Sequence, residues 1–342
     1  MNTYPRNVSA LHIELTDKCQ ASCPMCARNY SGGAERPFVG KNDVSLDSFK
    51  QWFTPDFLKN IKNFYACGNY GDPIIAKDCL EIFQYIREHT DSRLSIHTNG
   101  SARTTAWWKK LATVMSGAHE VTFGIDGFAE SHALYRRGTD WNKIIENATA
   151  FISEGGIATV DCLVFKHNQH EIEDFKSSML EIGFKSVNIK STRRFYDMQK
   201  FPVLSTEGTV EYYLEPVDTA EYKQLNFLKL SDISNDIDIW KSIVNLSTIS
   251  PKCVEKNEIY VDARGSVYPC CWVGMDMVEQ PLEVNLPIHS LRNALVEDTK
   301  FHFDKFSDLN LNKKSIENIL VSDTWNELTA NKPWVCVKNC KL

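Results

Sequence analysis

The chain has 342 residues, of which 43% are hydrophobic and 24% charged, a composition typical of a globular protein with about two domains. The net charge of −6, without any basic run, excludes a nucleic-acid backbone as the expected partner. No uninterrupted apolar stretch approaches the roughly 20 residues of a membrane helix, and residues 1–6 do not form an apolar signal segment. We therefore expect a cytoplasmic protein whose 11 cysteines serve metal binding rather than disulfides.

From about residue 10 to residue 200, short apolar runs alternate with segments of helical periodicity. Strands are predicted at Leu11–Leu15, Phe64–Cys67, Leu94–Thr98, Val121–Ile125, Ala158–Phe165 and Ser186–Ile189. Helices are predicted near residues 45–60, 78–89, 103–116, 141–154 and 169–182. The fourth helix is the best marked, because Thr139 or Asp140 can cap its start and Gly155 follows its end.

This alternation predicts an α/β protein with a parallel sheet and right-handed crossovers. Six strands fit an open, partial (β/α)6 barrel that resembles part of a TIM barrel, with its chemistry at the carboxyl ends of the strands. We expect this barrel to cover residues 8–200 and a connector that packs on it to cover 201–250. A small C-terminal α+β domain of a hairpin, a helix and a metal cluster is then expected over 251–342.

Three cysteines, Cys19, Cys23 and Cys26, follow the first predicted strand within eight residues. Soft thiolates this close on one loop can bind one soft metal centre together. A four-iron cluster normally has a cysteine at each of its four corners, so three ligands leave one iron open to another molecule. A structural zinc loop, completed by a distant fourth ligand, would use the same three residues.

The next predicted strands also end in unusual residues. The second is followed by Cys67–Pro73, the third ends in Thr98-Asn99-Gly100, and the fourth ends in Gly124-Ile125-Asp126-Gly127. Tyr135-Arg136-Arg137-Gly138 comes shortly afterwards. Each segment alone is typical of a turn, although glycine also permits close backbone approach to a ligand. At successive strand ends behind a three-cysteine loop, they form one constellation.

This constellation resembles the radical S-adenosylmethionine (radical SAM) superfamily. The resemblance implies a [4Fe–4S] cluster on the three cysteines, whose open iron chelates the amino and carboxylate groups of SAM. It also implies reductive cleavage of SAM to a 5′-deoxyadenosyl radical that abstracts a hydrogen atom from the substrate. The electron would come from a flavodoxin- or ferredoxin-type donor.

The same resemblance assigns residues to SAM. They are Met25, Gly71, Asp72, Pro73, Thr98, Asn99, Asp126 and Arg137. Asp72 stands where the family's Gly-Glu-Pro element has glutamate, and Gly124 stands where a serine often contacts the ribose. Met25 holds a position that is often aromatic and packs by the adenine, where methionine is a soft substitute.

The C-terminal part contains a second group of cysteines. Apolar residues on both sides of Arg264-Gly265 predict a β-hairpin, which would bring Cys253 and Cys270 together. Cys336 and Cys340 lie far downstream, after a predicted helix at Ser315–Leu328. Cys271 could replace its neighbour Cys270 as a ligand.

The spacing of Cys253, Gly265 and Cys270 resembles the SPASM/twitch extension of radical SAM enzymes. With Cys336 and Cys340, the shorter twitch form implies one auxiliary [4Fe–4S] cluster without an open iron. A structural zinc site with the same ligands is the alternative. We interpret Cys79 and Cys162 as buried small hydrophobic residues.

An auxiliary cluster could accept the electron of an oxidised substrate radical, and such an oxidation needs a base. The candidates are Lys166, Arg193 and Arg194, near the ends of the last two predicted strands. The substrate is expected to be a small polar molecule such as a sugar or aminocyclitol, or alternatively a ribosomal peptide or protein side chain. The predicted barrel begins near residue 10, without room before it for a leader-peptide-binding domain, which favours the small molecule. A non-catalytic zinc or electron-carrier protein is the third interpretation.

Overall fold

A computed structural model gives the fold of the chain and describes residues 7–192, 194–195, 199–219, 222, 251–276, 306–330 and 340. The strands are β1 (Ala10–Ile13), β2 (Asn63–Ala66), β3 (Arg93–Thr98), β4 (Glu120–Gly124), β5 (Ile157–Val164), β6 (Ser186–Ser191), β7 (Phe201–Leu204), β8 (Val210–Leu214), β9 (Glu258–Val261) and β10 (Val267–Tyr268). The helices are α1 (Leu46–Trp52), α2 (Pro55–Leu58), α3 (Cys79–His89), α4 (Thr105–Val114), α5 (Ala129–Tyr135), α6 (Trp141–Ser153), α7 (Ile172–Ile182), α8 (Lys252–Glu255), α9 (Cys271–Asp276), α10 (Ile316–Leu320) and α11 (Asp323–Ala330).

Eight strands form one sheet in the order β10-β9-β1-β2-β3-β4-β5-β6. Neighbours from β1 to β6 are all parallel, as helical crossovers require. The order is linear, so the sheet is an open, partial barrel rather than a closed one. The predicted α/β fold is confirmed, and the carboxyl ends of β1 to β6 lie along one rim.

All six predicted strands are present, with ends shifted by no more than two residues. The helix predicted near 45–60 is two helices, α1 and α2, because Pro55 lacks the N–H that would continue α1. Thr54 caps α2, accepting a hydrogen bond from the Phe57 N–H. Asp140 caps α6 in the same way, through the Lys143 N–H. Helix α5, which follows β4, was not predicted.

The core lies between the outer face of the sheet and the helices. Trp108 of α4 and Phe151 of α6 pack on Phe123 of β4, with ring centroids 5.1 and 6.5 Å from that of Phe123. Burying one such ring contributes roughly 1.5–3 kcal/mol. Cys79 and Cys162 are fully buried in this core, as predicted.

The C-terminal hairpin is present, and it belongs to the barrel sheet. β9 pairs in parallel with β1, and β10 pairs antiparallel with β9. The helix predicted at Ser315–Leu328 is two shorter helices, α10 and α11. The boundaries predicted at residues 200 and 251 stay predictions. Most of the second half of the predicted 201–250 connector lies outside the described residues, and so do Arg193 and Cys336.

Residues 201–219 hold an antiparallel hairpin of β7 and β8, which turns at Gly208 with a φ of 84°. Among the helices that the structure describes, none combines the length and the apolar character needed to cross a lipid bilayer.

Candidate active site

The three-cysteine loop follows β1 at the carboxyl rim of the sheet. A turn is closed by a hydrogen bond of 3.0 Å from the Cys26 N–H to the Cys23 carbonyl, and the Ala21 N–H donates to the Cys19 Sγ at 3.4 Å. Burial raises the pKa of Cys23 to about 12 and also raises that of Cys19. Both thiols therefore need a bound metal to become thiolates.

Within the described ranges, no three His, Cys, Asp or Glu side chains are arranged to hold one metal ion. A single zinc ion draws its thiolates to within about 2.3 Å of one point. A four-iron cluster distributes its thiolates over different irons. Three half-buried thiols on one loop, with N–H donors to sulfur, fit such a cluster.

Asp72 joins the second and third predicted motifs into one network. Its carboxylate accepts hydrogen bonds from the Thr98 hydroxyl at 2.7 Å and from the Asn99 N–H and amide at 2.7 and 2.6 Å. The Asn99 amide also donates to the Cys19 Sγ at 3.6 Å. Burial raises the pKa of Asp72, while these donors lower it. The motifs that the sequence placed at successive strand ends therefore meet beside the first cysteine.

Two glycines allow the loops of this rim to approach one another. A Cβ on Gly71 would lie 1.7 Å from the Thr16 carbonyl oxygen. Gly138, with a φ of +77°, would place a Cβ 2.7 Å from the Gln20 carbonyl oxygen in the cysteine loop. A larger residue at either position would displace backbone.

Asp126, which is buried, pairs with the partly buried Arg136 beside the cysteine loop. The Arg136 Nε lies 2.6 Å from the Asp126 Oδ2, and the side chain of Asp126 is 0% exposed. Asp126 also accepts from the Leu163 N–H at 2.7 Å. The Arg136 guanidinium lies over Gly124, where a Cβ would approach its atoms to 2.7 Å. Its positive charge opposes the burial that raises the pKa of Cys23.

Glu14, one residue beyond β1, holds the loop that carries Gly71. Its Oε1 accepts from the N–H groups of Tyr70 and Gly71 at 2.7 and 2.8 Å. Its Oε2 accepts from the Tyr260 hydroxyl of β9 at 2.7 Å. Burial, the largest cause, raises the pKa of Glu14 to about 7. One carboxyl group thus connects the C-terminal hairpin to the Gly71-Asp72-Pro73 segment.

Arg137, predicted to contact SAM, is engaged by other partners. Its guanidinium donates to the Leu204 carbonyl at 2.8 Å and pairs with Glu211 at 2.6 Å, on the β7–β8 hairpin. Its carbonyl accepts from the Ser22 N–H at 2.8 Å and so supports the cysteine loop. The predicted contact of its side chain with SAM stays a prediction.

Met25 lies buried in a cluster of aromatic and aliphatic side chains that includes Tyr135, Phe165 and Phe195. Arg194, one of the candidate bases, donates to the Met25 carbonyl at 2.6 Å. Its guanidinium therefore contacts the cysteine loop.

Lys166 is the second of the two candidate bases among the described residues, and it lies on the surface. Its side chain is 50% exposed and pairs with Glu215 at 2.9 Å, which raises the pKa of the Lys166 ammonium. An exposed pair of this kind contributes little to stability, because solvent screens its charges. A lysine with a raised pKa is also a poor base near neutral pH.

We expect Lys166→Ala to change the rate of SAM cleavage and of product formation by less than about twofold, since it removes only a surface ion pair. The rate of 5′-deoxyadenosine formation and the thermal unfolding midpoint measure this. A tenfold loss of turnover in a folded variant would contradict the surface assignment.

Of the C-terminal cysteines, Cys253 and Cys270 are brought together by the hairpin, and their thiols share a hydrogen bond. That bond and the N–H groups of Trp272 and Val273 lower the pKa of Cys270. Burial raises the pKa of Cys271, and charge on the neighbouring Cys270 and Cys67 would raise it further. Cys340 is half-buried, and Cys336 lies outside the described residues. The thiol pair favours Cys270 over Cys271 as a metal ligand.

Residues 13–179 match the family model described as the radical SAM superfamily. The chain carries a radical SAM domain. A radical SAM domain indicates an enzyme and implies a [4Fe–4S] cluster and SAM as cofactors. In sequence, the chain is 22% identical to GTP 3′,8-cyclase of Nitrobacter hamburgensis over 183 residues, which are 50% of this chain and 49% of that protein. The match therefore spans about half the length of this curated relative.

Solved radical SAM structures share the fold of the chain. Streptococcus suis SuiB, bound to its precursor peptide SuiA, is 12% identical, with a TM-score of 0.54 over 96% of this chain and 69% of SuiB. The protein anSMEcpe, solved with bound AdoMet (SAM), is 14% identical. Its TM-score is 0.54 over 97% of this chain and 85% of the anSMEcpe chain.

Two charged residues of this candidate site, Glu14 and Arg136, were not predicted from the sequence. Glu14 had a signal, because a glutamate inside the apolar run of the first strand needs a buried partner. Arg136 was not predicted, because its neighbour Arg137 is the residue that matches the Arg-Gly pattern. The position of α5 decides which of the two guanidinium groups reaches Asp126.

Proposed function

We propose that the chain is a radical SAM oxidoreductase whose reactive cluster is held by Cys19, Cys23 and Cys26. The observation that carries this proposal is the contact of Asn99 with both the Cys19 sulfur and the Asp72 carboxylate. It joins the cysteine loop and the two predicted SAM motifs. With its cluster and SAM bound, the site would supply a 5′-deoxyadenosyl radical, formed by one-electron cleavage of SAM, for abstraction of a substrate hydrogen atom.

The protein's own contribution is positioning. Glu14 and the Asp72 network orient the segment from Gly71 to Pro73, whose backbone groups would receive the amino group of SAM. Arg136 provides a partly buried cation near the cysteines. Such preorganisation matters because a reactive radical must meet one C–H bond before it meets any other group.

We further propose an auxiliary [4Fe–4S] cluster on Cys253, Cys270, Cys336 and Cys340. The pairing of the first two thiols supports it, and so does the attachment of β9 to β1, which brings this region to the barrel. A cluster with four protein ligands can accept an electron but cannot bind SAM. When a substrate radical is oxidised, this auxiliary cluster would accept its electron.

For the substrate we propose a small polar molecule, similar to a sugar or an aminocyclitol. The relative matched in sequence is by its name a GTP cyclase, which acts on a small molecule. The second candidate is a peptide, favoured by the likeness of the fold to SuiB, which was solved with the precursor peptide SuiA. Incubating the protein with candidates of each class and identifying the products would distinguish the small-molecule substrate from the peptide.

The test is iron, sulfide and zinc analysis of anaerobically purified protein, followed by SAM cleavage under reductant. We expect about eight irons per chain and formation of 5′-deoxyadenosine. Cys23→Ala should abolish this formation. Zinc without sulfide would contradict the enzyme proposal.

Cys270→Ser and Cys271→Ser form a matched pair for the auxiliary site. We expect Cys270→Ser to lose about four irons per chain and all product, while it keeps part of SAM cleavage, because Cys270 contacts Cys253. Cys271→Ser should keep its iron. The reverse pattern would reassign the ligand to Cys271.

A further inference from the structure

The inner face of the barrel carries polar side chains where a closed α/β barrel packs bulky aliphatic ones. Strand alternation turns Val121, Phe123 and Val160 towards the helices, where all three are fully buried. The opposite face of β3 to β6 bounds a cavity of about 250 Å³. The residues that line this interior cavity include His97, Thr122, Thr159, Asp161, Asn188 and Lys190. So many polar groups in one cavity favour a polar ligand.

Asp161 lines the interior cavity, and its side chain is 19% exposed. Its carboxylate lies 2.5 Å from the Lys190 Nζ, 3.2 Å from the Asn188 amide nitrogen and 3.8 Å from the His97 Nδ1. Thr122 and Thr159 share a hydrogen bond of 3.0 Å between their hydroxyls. The cavity therefore presents several donors and acceptors that can serve hydroxyl or amino groups of a ligand.

The interior cavity adjoins the radical SAM residues. Asp161 is the direct neighbour of Gly124 on the adjacent strand. The Arg136 guanidinium lies over that glycine, and the Leu163 N–H, two residues further along β5, donates to Asp126. Two residues of a strand span about 7 Å. A ligand beside Asp161 would thus lie one layer of side chains from the Asp126–Arg136 pair.

Size and charge restrict the ligand. The volume is below the roughly 300–1,000 Å³ of sites for drug-sized molecules, so the ligand is smaller than these. The carboxylates of Glu120 and Asp161 balance the ammonium groups of Lys185 and Lys190 around the cavity. A balanced lining disfavours phosphorylated molecules and polycations.

We propose that the interior cavity is the substrate site, and that it takes a neutral or zwitterionic polyol or amino polyol about the size of a monosaccharide. Asp161, positioned by Lys190, Asn188 and His97, accepts hydrogen bonds from its hydroxyl or amino groups. This inference rests on the radical SAM function proposed above, since that function gives the ligand its role as substrate.

The experiment measures binding, so that it is separate from SAM cleavage. Saturation-transfer NMR on the cluster-loaded full chain with SAM uses glucose, glucosamine, myo-inositol and glucose 6-phosphate as probes. We expect at least one of the three unphosphorylated probes to bind in preference to the phosphate. Asp161→Asn and Lys190→Met should each weaken that binding about tenfold or more.

Asp56→Asn is the matched control, because Asp56 is an exposed carboxylate paired with Lys59 at 2.8 Å. It should leave probe binding unchanged, and thermal unfolding checks that each variant is folded. Binding by none of the unphosphorylated probes, preference for glucose 6-phosphate, or unaltered binding in both cavity variants would overturn the proposal. SAM cleavage without substrate, measured on the same preparation, tests the proposed function separately.

Discussion

Arg136→Met is expected to slow SAM cleavage by one to two orders of magnitude and to lower the reduction potential of the SAM-binding cluster. Arg136 is the partly buried cation that opposes the rise in the pKa of Cys23, so it would also stabilise the additional electron of the reduced cluster. At an effective dielectric constant of about 20, unit charges several ångströms apart interact by roughly 2–4 kcal/mol, or on the order of 100 mV. At about 59 mV per tenfold change, reduction becomes roughly fiftyfold less favourable.

The same substitution removes the partner of Asp126, which is 0% exposed. An uncompensated buried charge costs about 3–5 kcal/mol of stability. The double variant Asp126→Asn/Arg136→Met should recover most of that stability. Its potential should fall by less than that of the single variant, because the negative charge of Asp126 acts on Cys23 in the opposite sense to Arg136. Redox titration monitored by electron paramagnetic resonance gives the potential, and denaturant unfolding gives the stability.

Lys109→Met is the control for the Arg136 experiment. Lys109 pairs with Glu154 at 2.9 Å on the surface, so its loss should change stability by less than about 1 kcal/mol and leave the potential unaltered. An unchanged potential in folded Arg136→Met would show that this cation does not act on the cluster.

Glu14 is expected to make the protein less stable as pH rises from about 4.5 to 7. Its pKa is raised by burial from 4.5 to about 7, so in this range the folded state keeps a proton that the unfolded state has released. The stabilisation that protonated Glu14 contributes is complete below about pH 4.5 and is lost as pH passes 7. The difference amounts to about 3 kcal/mol.

Glu14→Gln removes this titration but keeps an oxygen acceptor for the N–H groups of Tyr70 and Gly71. We expect the variant to match the wild type near pH 5 and to exceed it by about 3 kcal/mol near pH 8. His12, whose pKa burial lowers to about 4, contributes the opposite slope in both proteins. The difference between their unfolding free energies at pH 5, 6, 7 and 8 therefore isolates Glu14. Parallel curves would contradict the raised pKa.

Glu14→Leu separates charge from positioning. It leaves two N–H groups and the Tyr260 hydroxyl without their acceptor, at about 1–3 kcal/mol each. We expect a higher KM for SAM, because the segment beginning at Gly71 loses its support. Tyr260→Phe removes one of the three bonds and should cost about 1 kcal/mol. Glu154→Gln, at an exposed carboxylate, should leave both quantities unchanged.

Local sequence patterns predicted most of the barrel. Alternation between strands and helices depends on residues within one turn or one strand, which is why all six strands were found. The break before Pro55 and the division of the C-terminal helix into α10 and α11 were not predicted, since a continuous apolar periodicity does not mark a short interruption. Helix α5 was missed because it has only seven residues.

The sequence alone determined the chemistry-bearing loops of this protein, because the spacing of Cys19, Cys23 and Cys26 and the glycines at the strand ends is a property of neighbouring residues. Tertiary structure decided which charged side chains meet. Glu14 and Tyr260 are separated by 246 positions, and only the pairing of β9 with β1 joins them. The choice of Arg136 over Arg137 for Asp126, and the polar cavity around Asp161, likewise depend on how strands are ordered in the sheet. Such contacts are set by packing between distant segments, on which periodicity and spacing carry no information.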